Sequence, residues 1–167
     1  MYKAKDVTNY LLFLDSDNRL FYNTGKMNIN GRDITIGNAR LNKYLHLAQN
    51  VYYAKTGSLL FEDKLYAYDN GGVVKPIQEN YFSFINRETK SDTVISNDVK
   101  GFLKKFYAVL RSAPLERLIE FSHEDPAWLK KHNGYTLAEQ RMDTIENLED
   151  YRERYEDIIE YLDRMQA

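Results

Sequence analysis

The chain has 167 residues, enough for one domain that buries roughly 70% of the surface it exposes when unfolded. Hydrophobic residues make up 43% and charged residues 29%, as in water-soluble globular proteins. The absence of cysteine excludes disulfides, thiolate metal sites and a cysteine nucleophile, and a net charge of −2 with a pI near 6.0 argues against nucleic acid as the main ligand.

The opening segment, Met1-Tyr2-Lys3-Ala4-Lys5-Asp6, lacks the apolar core of a leader peptide, and no apolar run approaches the ~18 residues of a membrane span. With no cysteine, the expectation is a soluble protein of the reducing cytoplasm. Val7, Tyr10, Leu11 and Leu14 repeat at helical spacing and predict a helix over residues 4–14, stopped by Asp15-Ser16-Asp17-Asn18. The turn signals Asn23-Thr24-Gly25 and Asn30-Gly31 predict a small β-hairpin or a loop excursion over 19–36.

Leu41, Leu45, Ala48 and Tyr52 form one stripe of a helix over 38–55, and Gly57 fits its end. Leu65 and Ala67 alternate with Tyr66 and Tyr68 as in a short strand. Asn70-Gly71-Gly72 reads as a sharp turn leading into a helix over 75–85, with Pro76 in its first turn and Ile77, Tyr81 and Phe84 inward. Residues 86–95 read as loop, with a possible strand at Thr93-Val94-Ile95. Ser96 is a good N-cap for a helix whose face is Val99, Phe102, Leu103, Phe106, Tyr107 and Leu110. Pro114 starts the next helix, with Leu115, Leu118 and Ile119 inward. A long helix over 143–165 carries Ile145, Leu148, Tyr155, Ile159 and Leu162 at heptad spacing, broken by Arg152. Two readings of it stand: a helix docked on its own domain, or a seam for a homodimer or a partner.

Charge follows position. Residues 1–55 hold eight basic and four acidic side chains, a net of +4, and residues 143–167 hold three basic and nine acidic, a net of −6. The acidic end is a solvated face or a surface for a basic partner. The 14 tyrosines suit a core with wet edges, and any that are exposed favour an interface.

The order of parts between Arg40 and Trp128 resembles the Panacea domain, found in antitoxins and phage-associated proteins. The likeness rests on Leu41, Lys43, Tyr44, Leu45, Gln49, Gly57, Leu59, Leu60, Phe61, Ala67, Gly71, Val73 and Val74. A second segment, Phe121-Ser122-His123-Glu124-Asp125-Pro126-Ala127-Trp128, resembles the family's Leu-Ser-His-x-x-x-Pro-Trp signature. The family usually has Gly-Pro where this chain has Gly71-Gly72, and its connection across 19–36 is often shorter. The expected fold is mostly α (α+β): a single-domain helical bundle with a small β-hairpin or short strands and a long C-terminal helix. The family-like domain would span 1–142, with its signatures in 40–128, and the acidic helix 143–167.

No catalytic constellation emerges. His46, His123 and His132 are the only histidines, and H-E-x-x-H, G-x-S-x-G and phosphate-loop spacings are absent. His123 or Ser122 is read as a helix-end cap, Trp128 as a corner filler and His46 as an exposed or edge residue. Lys43 is paired in this reading with an acid such as Asp69. No cofactor, metal or catalytic residue is assigned. The resemblance implies an antitoxin-like protein that neutralises a toxic effector by direct contact, over ~800 Å² per partner with aromatic anchors. Tyr53, Tyr66 and Tyr68 are the candidate anchors. A phage-associated adaptor or inhibitor of a host protease or nuclease, and an enzyme of unrecognised type, are the alternatives.

Overall fold

The computed structural model describes residues 1–17, 20–86, 94–132 and 148–165. In chain order these form α1 (Ala4–Leu14), β1 (Lys26–Ile29), β2 (Arg32–Thr35), α2 (Ile36–Thr56), β3 (Tyr66–Tyr68), β4 (Gly71–Val73), α3 (Lys75–Glu79), α4 (Tyr81–Ile85), α5 (Asn97–Leu110), α6 (Leu115–Ser122), α7 (Pro126–Lys131), α8 (Leu148–Arg154) and α9 (Glu156–Arg164). The fold is mostly helical α+β, with two separate antiparallel hairpins, β1–β2 and β3–β4. Among the described residues no helix is long and apolar enough to cross a membrane.

α2 is the axis. Residues 41–51 are buried without interruption, and α1, α3, α5, α6, α8, α9, β2 and β4 all pack on it. Its Tyr44 ring meets Phe21 edge-on at 4.9 Å and Phe106 edge-on at 6.1 Å, at the centre of the apolar core. α1 is docked through its start: Asp63 Oδ1 accepts from the Ala4 amide at 2.7 Å, and Tyr2 bridges in parallel to Phe61. At the other end of α1, buried Asp15 accepts from the Leu20 and Phe21 amides and ties the connection back.

The Asn30-Gly31 signal makes the turn of β1–β2, with φ of 53° and 83°, the pair of positive angles a two-residue type I′ turn requires. α5 begins as expected, Ser96 Oγ accepting from the Val99 amide. Four expected elements differ. The helix over 75–85 is two short helices meeting at Asn80, whose side chain donates to Pro76 O instead of facing away from the backbone. Gly71-Gly72 is not the turn but the strand β4, the turn being Asp69-Asn70. The C-terminal helix is broken at Tyr155, where ψ shifts to 12°, and its expected start at 143–147, with Ile145, lies outside the described residues. Val94 and Ile95 form no strand, and Thr93 lies outside the described residues.

α8 and α9 dock on the domain through Tyr151, Tyr155 and Leu162, all buried. The apolar seam read from the heptad spacing therefore faces inward at Tyr155 and Leu162, with Ile159 half-buried.

Asp125 joins the elements. Its Oδ1 accepts from the Ala127 and Trp128 amides and so caps α7, while Oδ2 accepts from Asn50 Nδ2 of α2 at 2.6 Å and from the Tyr155 hydroxyl. Burial would push this carboxyl up, but the facing His46 ring and the hydrogen bonds from Tyr155 and Asn50 hold it below the usual range. Removing one member of a buried charged network leaves the others unsatisfied. Asp125→Ala should therefore cost roughly 3–5 kcal/mol in urea unfolding. Because the folded pKa is lowered, the stabilisation stands above pH 3.8 and is lost as pH falls through the folded value, so the variant should show a weaker acid transition.

Candidate functional site

A helix buried on every side satisfies its polar side chains inside the protein or loses stability. α2 carries five of them in a row, and each holds the backbone or side chain of a segment crossing it. Asn42 Oδ1 accepts from the Val74 amide at 3.0 Å. Lys43 Nζ donates to Gly72 O at 2.7 Å, and the Gly72 amide donates to His46 Nδ1 at 3.0 Å. Gln49 accepts from the Leu60 and Phe61 amides and donates to Phe61 O. Asn50 reaches Asp125. With Nδ1 accepting, His46 carries its ring proton on Nε2, 3.5 Å from Asp125 Oδ1.

Gly71 and Gly72 are glycine for closeness. A Cβ on Gly71 would lie 2.3 Å from Ser122 Oγ, at a φ of 107°, and one on Gly72 would lie 2.6 Å from the His46 ring. This accounts for the departure from Gly-Pro: the Gly72 amide hydrogen that proline would lack is the one His46 accepts.

The β3–β4 turn is held from behind by a second group. His123, Trp128 and His132 stack in a row, 4.2 and 4.3 Å between ring centroids. Trp128 Nε1 donates to Tyr68 O at 2.8 Å, His123 Nε2 lies 2.7 Å from Asp69 O, and His132 Nε2 lies 3.0 Å from Asp69 Oδ1. Arg32 of β2 meets the other Asp69 oxygen at 3.4 Å. Burial lowers the His123 pKa despite the Asp69 carbonyl. The outer face of the turn stays open: Tyr66, Tyr68, Asp69 and Asn70 are half-exposed. A cleft of about 270 Å³ separates it from β1–β2, lined among others by Arg32, Asn38, Tyr68 and Asn70. Asn70 Oδ1 finds no donor among the described residues.

The two sequence signatures thus converge on one turn. Leu41, Tyr44, Leu45, Val73 and Val74 are buried packing residues, while Lys43, Gln49, Gly71, His123 and Trp128 fix the segment that leads to the turn. Lys43 does not pair with Asp69: its stem is too deep, and Asp69 is engaged by Arg32 and His132. His46 is not at an edge but wholly buried, because the Gly72 amide needs an acceptor there. Tyr53 is taken inside, 6% exposed, its ring edge-on to Tyr151 at 5.4 Å, since α8 covers that side of α2; it is not a surface anchor. His123 and Glu124 do not converge, as Glu124 turns to Arg154. Sequence reading missed Asn42, Asn50, Asp125 and His132. The spacing of Asn42, His46, Gln49 and Asn50 along one helix was the available signal, as was Asp125 before Pro126 at an N-cap.

The architecture is that of a helical α+β domain that fixes a surface hairpin from behind. A family model described as antitoxin SocA-like, Panacea domain, matches residues 41–129, more than half of the chain, and the chain belongs to this family. No curated protein and no solved structure matches it. The matched segment carries the whole polar row of α2 and the His123–Trp128 stack; β1–β2, His132, α8 and α9 lie outside it.

Burial pulls the Lys43 amine down from 10.5 to about 7. Between these values the unfolded chain holds a proton that the folded chain has released, so stability rises with pH across the window, by about 1.4 kcal/mol per pH unit, and is flat below it. Lys43→Met should remove that slope when urea midpoints are compared at pH 7, 8 and 9.

Proposed function

We propose that this chain is an antitoxin-like protein that neutralises a toxic protein by direct contact, its partner meeting Tyr66, Tyr68 and the turn at Asp69-Asn70. The observation that carries the reading is the asymmetry of the β3–β4 hairpin. Its inner side is held by groups from α2, α7 and the α6–α7 corner, and Arg32 meets Asp69 from across the cleft, while the rest of its outer side is left open. A surface fixed before binding loses little conformational entropy on docking, which favours tight association. Tyrosines with a half-wet ring are suited to such a surface. Lys75 Nζ sits 4.2 Å from the Tyr66 ring centroid and steadies it.

Membership of an antitoxin-like family supports the class of partner. The β1–β2 hairpin, which lies outside the matched segment and forms the far wall of the cleft, is the part suited to choosing among partners. The reading assigns no reaction to the chain, and the lack of cysteine suits work in a reducing cytoplasm.

The test is capture of partners from the native host by the tagged chain, beside the Tyr66→Ala, Tyr68→Ala double variant. The expected outcome is one stoichiometric small protein, toxic when expressed alone and rescued by coexpression of the wild type. The double variant, with an unchanged melting temperature, should bind it at least about tenfold more weakly. Capture of a larger host protease or nuclease instead would make the chain an adaptor or inhibitor. Full rescue by the double variant would remove the two tyrosines from the interface.

A further inference from the structure

A second concavity of about 740 Å³ lies between the C-terminal end of α5, the connection to α6, α6 itself and α9. It shares no lining residue with the cleft beside β1–β2. Val109, Phe121 and Ile158 give it an apolar lining that is only half-buried, and the Tyr161 ring at its edge is 58% exposed. Ala108 and Ala113 keep one wall low, so a backbone can come close. Exposed large apolar groups gathered in one groove, unlike scattered ones, mark a contact site.

The lip is acidic. Glu120, Glu124 and Asp157 line it against one arginine, Arg117. Arg117 meets Glu120 at 3.4 Å and Arg154 meets Glu124, which leaves Asp157 without a cation among the described residues. Residues 148–165, which supply the α9 wall, hold seven acidic and three basic side chains. Such a field attracts a basic partner and repels an acidic one. Walls made of helices present ridges that a further helix can interleave with.

We propose that this groove docks an amphipathic helix of a protein partner. Leucine- or isoleucine-sized side chains lie on Val109, Phe121, Ile158 and Tyr161, and lysine or arginine on the flanks faces Asp157 and Glu120. The wall from α9 lies outside the family-matched segment, so the groove belongs to the chain as a whole and not to the matched part alone. It is a contact surface additional to the β3–β4 hairpin.

The absence of cysteine allows a single reporter: Lys104→Cys, at an exposed position one helical turn before Ala108 and outside the groove lining, labelled with a fluorophore on the full chain. The probe is a synthetic peptide of about 18 leucines and lysines, roughly five turns, patterned at the helical period. The control is the same composition scrambled to erase the apolar face. The patterned peptide should change the reporter signal saturably and bind at least about tenfold more tightly than the scrambled one. Tyr161→Ala, at an exposed position that leaves the fold intact, and Asp157→Asn should each weaken binding several-fold, with unchanged circular dichroism. Equal binding of the scrambled peptide, no effect of Tyr161→Ala, or no binding at all would each overturn the proposal. Because no toxin enters the assay, its failure would leave the hairpin reading standing, and the rescue experiment would test that reading alone.

Discussion

The rest of the structure depends on how α2 satisfies its buried polar side chains. A central helix made only of leucine and alanine would pack against anything apolar; one that carries Asn42, Lys43, His46, Gln49 and Asn50 accepts only neighbours that offer backbone amides and carbonyls at the right heights. The irregular segment from Leu60 to Val74 offers them. So does the α6–α7 corner, through Asp125. The row therefore converts a run of chain with little regular structure of its own into a fixed part of the core, and through Asp125 and Tyr155 it extends the same network to the C-terminal helices.

What makes the family recognisable is thus largely internal. Matched residues such as Lys43, Gln49 and Trp128 act on the domain's own backbone: Lys43 and Trp128 hold the hairpin at Gly72 and Tyr68, and Gln49 holds the segment at Leu60 and Phe61 that leads to it. The parts outside the match, β1–β2 with its Arg32 and the acidic α8–α9 pair, sit at the edges of the cleft and the groove. The interior network and the surface rims are thus built from different stretches of the chain, the first inside the matched segment and the second partly outside it.

Much of the fold was legible because its signals are local. α1 was read at 4–14, and α5 and α6 announced themselves by N-cap or proline and by a full apolar face. Asn30-Gly31 names its own turn type. The errors fell where tertiary contacts overrule local preference. Nothing near His46 in sequence says that a strand amide 26 residues later will need an acceptor, so a histidine among leucines was read as an edge residue. Tyr53 lies off the apolar stripe of its helix, and only the docking of α8 turns that side into interior. The glycine pair was read as a turn because its conformational freedom is visible in sequence, while the crowding by Ser122 and His46 is not.

The grip on Gly72 bears on how the hairpin can be used. In a two-residue hairpin the pair Tyr68–Gly71 is hydrogen-bonded, so the amide and carbonyl of Gly72, one place further on, point away from β3 toward the free edge of the ribbon. Those are the groups that His46 and Lys43 occupy. An edge with both positions filled at mid-strand offers no template for a third strand. The ribbon is thereby closed to the strand-addition route of self-aggregation along β4, and a molecule that settles on that edge does so through side chains.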